Sequence, residues 1–365
     1  MINRAVIEVR GRPRPSLEIE FVVPAGIDDP ARPSGGNHYD RRVIESLTAM
    51  GRVVHEHRIN RPADLEPLLA GLPDQAVVVV DGLLGSAAPD ALQQAAERLC
   101  VVVLLHMPFA EASDHETVRR AERTALAAAS GVVTTSAWAR AWVIAHHGLQ
   151  PDRVRVVSPG ADPAPVTLAL PPGGRLLCLA AVTPDKGHDT LLAALAQLTD
   201  LDWFLTCIGA LDLEPDFVAG LREMAVRSGI ADRIELTGPQ PEDRVRVALS
   251  STDLLVSASR RESYGMAVAE ALAHGVPVAV TDVGGHHEAV GRTADGAPAG
   301  ALVPPDDPDL LAATLRCWLT DRDERERLRA VAAGRRTSVG TWPGAARRFA
   351  DAVDAAAMNP IGVSA

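Results

Sequence analysis

Lysine is nearly absent from this sequence of 365 residues. Lys186 is the only one, and apart from histidine every other cationic side chain is an arginine. A compact ammonium and a planar guanidinium bind anions differently. The single lysine is therefore either a chance survivor or a position where only an ammonium serves, and we treat it as a candidate functional cation.

Other scarce features exclude classes of protein. The four cysteines are widely spaced and three lie in apolar runs, which indicates buried reduced thiols and neither a disulfide framework nor a zinc site. A formal charge of −11 argues against nucleic-acid binding, although Arg41-Arg42 and Arg119-Arg120 either face solvent or contact an acidic lipid or acceptor. We find no N-terminal signal region and no apolar run as long as a membrane span, so we expect a cytoplasmic protein without an integral membrane segment.

Strand-like and helix-like segments alternate along the N-terminal half, which predicts a mostly parallel sheet covered by helices. The length suits two domains. We predict a first domain over residues 1–163, a linker rich in proline and glycine over 164–174, a second domain over 175–340, and a final helix with a loose tail over 341–365. The predicted strands of the first domain are Glu18–Val23, Val53–Ile59, Ala76–Asp81, Cys100–His106, Gly131–Thr135 and Arg153–Ser158, and its predicted helices are Tyr39–Met50, Ala87–Leu99, Glu116–Ala129 and Ala137–His146.

The stretch 260–277 reads RRESYGMAVAEALAHGVP. Between Met266 and Ala273 it contains good helix formers and one charged residue, Glu270, which is typical of a helix buried on all sides. An unpaired carboxylate in an apolar setting costs several kcal/mol. Glu270 therefore needs a partner.

The same stretch predicts an anion site beside that helix. We place the helix start near Ser263 or Tyr264, where Gly265 allows close approach to the free backbone amides of the first turn. Glu262 lies eight positions before Glu270, just outside the helix. Amides for a phosphate and two carboxylates for hydroxyls together favour a pocket for a sugar nucleotide.

The segment Glu262 to Glu270 resembles the E-x7-E motif of the retaining, nucleotide-sugar-dependent glycosyltransferases of family 4, which have the GT-B fold. The surrounding pattern E-S-[FY]-G-x-x-x-x-E-A-x-A-x-G-x-P-V is much more specific than the spacing of two glutamates. The alternative is that Glu262 is a solvated cap residue and Glu270 part of a core ion pair. The resemblance covers nearly the whole chain and implies two Rossmann-like, doubly wound α/β domains facing each other across a cleft.

Other segments resemble the family at matching places. Residues 33–38 are similar to its N-terminal glycine loop, although a Gly-Gly pair before a helix is often only a turn. His106, at a strand end, matches the histidine near the transferred sugar, where a structural histidine is the alternative. The resemblance implies donor binding by Gly35, Gly36, Lys186, Pro239, Glu262, Ser263, Tyr264, Gly265 and Glu270, with catalytic roles for His106, Lys186 and Glu262.

One part of the family pattern is missing. The loop before Lys186 reads G-R-x-x-x-x-K-G in the family, and its arginine and lysine both reach the donor diphosphate. Here Ala180 and Ala181 replace the glycine and the arginine. A second cation must come from Arg260 or Arg261, or be absent.

The resemblance implies retaining transfer of a hexose-type sugar from a UDP- or GDP-sugar to a small-molecule or lipid-linked acceptor, without a metal ion or cofactor. In this hypothesis Glu262 holds sugar hydroxyls, Glu270 holds the ribose hydroxyls and His106 orients the sugar. The D-x-D patterns at 200–202 and 321–323 fall at helix edges, where acidic residues are common caps. We interpret His286 and His287 as loop residues and not as metal ligands.

Two other functions stay open at this point. A nucleotide-sugar epimerase of the same fold would turn over donor without an acceptor. A non-catalytic relative that binds a nucleotide sugar or a protein partner would fit the missing arginine. A dinucleotide oxidoreductase is disfavoured because no G-x-G-x-x-G follows the first strand.

Overall fold

The computed structural model describes residues 17–113, 115–164 and 173–359. Within these ranges the chain forms two six-stranded sheets. Each sheet is covered by buried apolar clusters on its two faces. The two doubly wound domains predicted from the sequence are thus present, while most of the predicted linker lies outside the described residues.

The first six strands of the chain form one sheet and the next six form the other. The first sheet contains β1 (Ile19–Pro24), β2 (Val54–Ile59), β3 (Val77–Asp81), β4 (Cys100–Leu105), β5 (Gly131–Thr134) and β6 (Val154–Val156). The second contains β7 (Arg175–Leu179), β8 (Phe204–Ile208), β9 (Ile234–Gly238), β10 (Leu254–Ser257), β11 (Val278–Thr281) and β12 (Ala301–Val303).

Both sheets are parallel, with the orders β2-β1-β3-β4-β5-β6 and β12-β11-β10-β7-β8-β9. Strands such as β3 and β4 are buried along their whole length, as expected for parallel strands covered on both faces. The direction of winding reverses between β1 and β3 in the first sheet and between β7 and β10 in the second. Ligands of such folds bind beyond the carboxyl ends of the strands at this reversal.

Helices connect the strands and cover the sheets. In the first domain they are α1 (Gly35–Ala49), α2 (Leu65–Gly71), α3 (Gly82–Ala87), α4 (Pro89–Ala96), α5 (Glu116–Ala128) and α6 (Ala137–His147). The later helices are α7 (His188–Leu195), α8 (Pro215–Arg227), α9 (Glu242–Ser251), α10 (Met266–Ala273), α11 (His286–Val290), α12 (Pro308–Thr320), α13 (Arg322–Arg336) and α14 (Trp342–Met358). Among the described residues, none of the helices combines the length and the apolar character needed to cross a bilayer.

The last helix, α14, packs on the first sheet although the preceding residues belong to the second domain. Its Phe349 stacks on Phe21 of β1 with ring centroids 5.9 Å apart, and both side chains are fully buried. The edge of Trp342 meets Tyr39 of α1 at 5.8 Å. Burial of these aromatic rings ties the end of the chain to the first domain.

Several elements differ from the sequence prediction. Helices α2 and α9 lie where no helix is predicted, and the predicted helix 87–99 is replaced by α3 and α4. Asp81 caps α3 by accepting a hydrogen bond from the Leu83 amide, and Pro89 begins α4, so the chain bends between them. His286 and His287 lie in the first turn of α11 and not in a loop.

Candidate functional site

Two loops of the second domain meet at the reversal between β7 and β10. The loop after β7 carries Lys186, at the end of a short 3-10 turn, and the loop after β10 carries Glu262. Gly187 has a φ of +64°, and a Cβ atom on it would come within 1.9 Å of the Ala258 carbonyl oxygen. The close packing at this glycine brings the lysine to the glutamate.

Lys186 and Glu262 form an ion pair at the opening between the domains. The Lys186 Nζ atom donates a hydrogen bond to Glu262 Oε2 at 2.7 Å, with 26% and 18% of the two side chains exposed. Burial alone would raise the pKa of Glu262, but the Lys186 ammonium, helped by His286, holds that pKa below its usual value. The pair therefore offers an ionised acceptor for hydroxyl groups next to a cation for phosphate.

Helix α10 begins later than predicted, at Met266, with Gly265 as its N-cap residue. Gly265 has a φ of +99°, and a Cβ atom there would lie 2.7 Å from His286 Cδ2. Both conditions require glycine. The free amides of this first turn follow directly after Glu262, so an anion can bind beside the ion pair.

We expect replacement of Gly265 by alanine to cost stability and to distort this turn. The added methyl group requires an unfavourable backbone angle and displaces the buried His286 ring, so the variant should lose about 2–4 kcal/mol of unfolding free energy. The matched control is Gly220→Ala in α8, where a Cβ atom meets nothing within 4 Å. Denaturant unfolding should show a loss for the first variant and a small gain for the second. Equal stabilities would contradict the close packing.

Ser263 and Tyr264 are both buried, and Tyr264 packs within an apolar cluster of the second domain. The Ser263 Oγ atom lies 2.9 Å from Thr135 Oγ1 in the first domain, and Thr135 Oγ1 donates to the His106 carbonyl oxygen at 3.2 Å. The Ser263 hydroxyl is thus used in an interdomain contact.

Glu270 lies on a side of α10 that is not fully covered. Met266, Ala267 and Glu270 are partly exposed, whereas Val268 and residues 269 and 271–273 are buried, so the helix is not buried on all sides. The one ion-pair contact of Glu270 among the described residues is with His38 of α1, whose Nε2 lies 4.0 Å from Oε1, and burial lowers the pKa of this histidine. No arginine among the described residues forms an ion pair with Glu270, so the core ion-pair alternative does not hold.

Ionisation of Glu270 is unfavourable in the folded protein. Burial raises the pKa of Glu270 to about 7, and the nearby carboxylates of Glu242 and Asp162 act in the same direction. With a pKa near 7 and a partly exposed side chain, Glu270 can accept hydrogen bonds from a ligand that binds between the domains. Two hydroxyl groups of a ribose are suitable donors.

The glycine loop of the first domain faces α10 on one side and His106 on the other. Gly35 and Gly36 open α1, which Ser34 caps by accepting a hydrogen bond from the Asn37 amide. A Cβ atom on Gly35 would contact Met266 Sδ at 3.6 Å, and one on Gly36 would approach His106 Cδ2 at 3.1 Å. The loop therefore lies between the two domains with its backbone against the histidine ring.

Two carboxylates that the sequence analysis missed hold His106. Its Nε2 atom lies 2.8 Å from Asp40 Oδ1 of α1 and 3.3 Å from Asp81 Oδ2 at the end of β3. Both aspartates are buried. Burial alone would lower the pKa of His106, but the two carboxylates outweigh it and raise that pKa to about 10, while burial raises the pKa of Asp40 to about 6.

This cluster is also the one group in the described part of the chain whose ligand atoms, within 4.8 Å of one another, come close enough to hold a metal ion. The His106 nitrogen that would bind the metal is the one already hydrogen-bonded to Asp40. The two carboxylates and the imidazole therefore already form an internal ion cluster.

The two candidate replacements for the missing arginine differ. The Arg260 guanidinium already forms ion pairs with Asp189 at 2.9 Å and with Asp306 at 2.7 Å. Arg261 makes only long contacts, at 3.4 Å to Asp185 and 3.7 Å to Glu111 of the first domain. Arg261 is therefore the cation that can move to a ligand beside Lys186.

Glu288 contacts the first domain, and Pro239 lies at the carboxyl edge of the second sheet. Glu288 accepts hydrogen bonds from the amides of Ala137 and Trp138, both at 2.8 Å, and so caps α6 of the first domain. Pro239 directly follows β9 at the same carboxyl edge as Lys186, and it is partly buried. The residues gathered between the two sheets are Gly35, Gly36, His106, Lys186, Glu262, Gly265 and Glu270.

Comparison with known protein families agrees with this arrangement. Residues 17–165 match the model described as Glycosyltransferase Family 4, and residues 172–335 match the model described as Glycosyl transferases group 1. The two models together span both domains. This chain belongs to glycosyltransferase family 4.

Relatives of this glycosyltransferase are similar over part of their length. It is 33% identical to a D-inositol 3-phosphate glycosyltransferase of Nocardia farcinica over 247 residues, which are 61% of this chain and 53% of that protein. It is 32% identical to the enzyme of the same name from Jonesia denitrificans over 216 residues, 54% of this chain and 50% of that one. The chain spans about half the length of the curated relatives it matches.

Solved structures show the same fold. A sucrose-phosphate synthase of Thermosynechococcus elongatus matches with a TM-score of 0.77 and 22% identity, over 92% of this chain and 98% of that one. HepE of Anabaena, solved in complex with UDP-glucose, matches with a TM-score of 0.72 and 17% identity, over 93% and 99% of the two chains. The GT-B architecture predicted from the sequence is confirmed.

Proposed function

We propose that this glycosyltransferase transfers a hexose-type sugar from a UDP- or GDP-sugar to a small-molecule or lipid-linked acceptor, with retention of configuration. The observation that carries the proposal is the ion pair of Lys186 and Glu262, set just before the N-terminus of α10, where the neighbouring Ser263 contacts Thr135 of the first domain. HepE was solved with UDP-glucose, which supports a UDP-hexose as the first donor to test.

Each group has a part in this proposal. Lys186 and the α10 amides bind the diphosphate, and Glu262 accepts hydrogen bonds from sugar hydroxyls. Glu270 accepts from the ribose hydroxyls, and His106 orients the sugar. Charge on the leaving diphosphate is then offset by fixed donors and cations, so we propose that the reaction needs neither a metal ion nor a cofactor.

In the retaining reaction proposed here, the acceptor hydroxyl attacks from the face that the diphosphate leaves. The bond from the anomeric carbon to the new oxygen forms as the bond to the phosphate oxygen breaks, and that phosphate oxygen takes the hydroxyl proton. No protein carboxylate becomes a covalent nucleophile.

The test is calorimetric titration with UDP, GDP and their hexose derivatives, followed by mass spectrometry of the products. The proposal predicts binding of one nucleotide series, release of free nucleotide, and transfer when an acceptor is supplied. Activity should survive a chelator. Turnover of the donor into an isomeric sugar nucleotide would indicate an epimerase instead, and binding without any turnover would indicate a non-catalytic relative.

We further expect Arg261 to act on the β-phosphate of the donor. Methionine at position 261 should weaken UDP binding by about 10- to 100-fold, since a charge-assisted hydrogen bond is worth about 1.5–3 kcal/mol, and should change UMP binding much less. The control is Arg260→Met, which breaks the pairs with Asp189 and Asp306. The control should lower stability and leave the ratio of UDP to UMP affinity unchanged. An unchanged ratio in the Arg261 variant would rule out this role.

A further inference from the structure

The environment of His106 leaves one polar atom of the ring uncommitted. Its Nε2 atom faces Asp40 and Asp81, Gly36 lies against Cδ2 and Cγ, and the edge of Tyr39 meets the ring at 5.3 Å between centroids. No described residue hydrogen-bonds to Nδ1, and one fifth of the side chain is exposed. Nδ1 is thus the ring atom available to a ligand.

The two aspartates next to the His106 ring are buried carboxylates with few other partners. Asp40 is completely buried and Asp81 nearly so, and neither pairs with an arginine or a lysine among the described residues. Asp40 Oδ2 is buried without a hydrogen-bond partner, and Asp81 Oδ1 accepts from the Leu83 amide. Burying ionised carboxylates is costly without a cation. The imidazolium form of His106 is the cation that this cluster can supply.

We propose that Asp40 and Asp81 are positioning residues that keep His106 doubly protonated, so that its Nδ1–H donates to an oxygen of the sugar nucleotide. This inference rests on the proposed function for the identity of the ligand. It assigns His106 the role of a fixed donor and excludes the role of general base, because the proton on Nε2 is held between two anions and Nδ1 already carries its own.

Groups on the neighbouring elements do not compete for this role. Tyr39 of α1 stays neutral because burial raises the pKa of its phenol, and its hydroxyl donates to the Val157 carbonyl oxygen at 2.9 Å. From the second domain, Lys186 and Glu262 pair with each other and carry no net charge together. The charge state of His106 is thus set by Asp40 and Asp81.

Ring-nitrogen NMR of the full-length protein with ¹⁵N-labelled histidine tests the proposal directly. His106→Gln identifies the signal among the 11 histidines. In the wild type both ring nitrogens should remain protonated at pH 8, in line with a pKa of about 10. In Asp40→Asn combined with Asp81→Asn, burial acts on the ring without the two anions, so His106 should lose its charge below the ordinary histidine value of roughly 6.5. A wild-type signal that titrates near that ordinary value would overturn the proposal.

The two single variants, Asp40→Asn and Asp81→Asn, guard against misfolding of the double variant. Each keeps the shape of the side chain and removes one anion, so each should lower the midpoint of the His106 titration. Glu20→Gln is the matched control, because Glu20 Oε2 contacts His57 at 2.5 Å on another face of the domain. It should leave the His106 titration unchanged. If chelator treatment of the wild type shifted the His106 signal, the cluster would be a metal site and the proposal wrong.

Activity gives a second readout that a purely structural role would not produce. With UDP-glucose as the probe, and relative to the wild type at the same pH, the double variant should lose about 10- to 100-fold in turnover at pH 8 and less at pH 5.5, where a larger fraction of His106 carries its proton. Equal losses at both pH values would contradict the proposal. UDP affinity is measured in parallel: if the wild type bound no nucleotide, the proposed function would fail while the NMR titration still decided the state of His106.

Discussion

Replacing Glu270 by glutamine should make the protein more stable and at the same time weaken its binding of nucleotide. Burial and the nearby carboxylates of Glu242 and Asp162 raise the pKa of Glu270 to about 7, and the Arg42 guanidinium, which makes no ion pair with Glu270, offsets only part of this shift. At pH 8 the folded protein therefore holds a charge that the unfolded chain holds more easily. The amide removes this penalty, on the order of 2 kcal/mol for a side chain that is 28% exposed, and should raise the melting temperature by several degrees.

The gain must depend on pH in a defined direction. A glutamate whose pKa is raised on folding stabilises the protein below its unfolded pKa of about 4.5, and this contribution is lost as the pH rises to about 7. The variant should therefore match the wild type near pH 4.5 and exceed it above pH 7. Thermal unfolding across this window measures the difference. A variant that is less stable than the wild type at pH 8 would show that Glu270 has a cationic partner after all.

Nucleotide binding should depend on the same ionisation. Ribose hydroxyls donate to the ionised carboxylate, so UDP or GDP should bind the wild type about tenfold more weakly at pH 6 than at pH 8. The glutamine variant should bind about 10- to 100-fold more weakly at pH 8 and lose this pH dependence. The matched control is Glu242→Gln, which removes one of the carboxylates that raise the pKa of Glu270. It should move the midpoint to lower pH without changing the affinity at pH 8.

The fold was predictable because its signals are local. Runs such as V-V-V-V-D and C-V-V-V-L-L have the length and burial of parallel strands, and the alternation with helices fixes the doubly wound class. Helix α9 was missed since only Leu249 is buried along it, and its amphipathic signal is accordingly weak. The start of α10 at Met266 depends on the close contact of Gly265 with His286, which lies in a distant segment, and no local pattern contains that contact.

The candidate site was predictable only where a motif carries it. The motif and its setting singled out Lys186 and Glu262, and the structure adds that they form an ion pair. Asp40 and Asp81 were missed because an aspartate on an amphipathic helix and one at a strand end usually face solvent. Their function depends on a contact across 66 residues of sequence between Asp40 and His106. The signal that could have found Asp81 is its position at the end of β3, an otherwise apolar strand that pairs with β4, and β4 ends directly before His106.

Loss of Lys186 should have the largest effect on catalysis. Methionine at this position removes the compact cation nearest to Glu262 and to the amides of α10, so turnover of the donor should fall by about 10³-fold. Arginine keeps the charge but spreads it over a larger plane, and the loop at Gly187 leaves little room for adjustment. We therefore expect Lys186→Arg to recover folding and to restore only a small part of the activity.

The effect on stability must be separated from the effect on catalysis. Methionine at 186 leaves the Glu262 carboxylate partly buried without its partner, which should cost on the order of 1–3 kcal/mol. Adding Glu262→Gln removes that unpaired charge, so the double variant should regain most of the lost stability. It should regain none of the turnover, because both ligand-binding groups are gone. Urea unfolding and donor hydrolysis of the two single variants and the double variant together measure this separation.

The double variant also distinguishes function from structure at this pair. If Lys186 served only to neutralise Glu262, the double variant would be as stable as the wild type and would bind UDP with the same affinity. If the ammonium serves the diphosphate, UDP binding stays weak however well the protein folds. Weak UDP binding by a well-folded double variant would therefore identify Lys186, the sole lysine of the sequence, as the phosphate-binding group of the site.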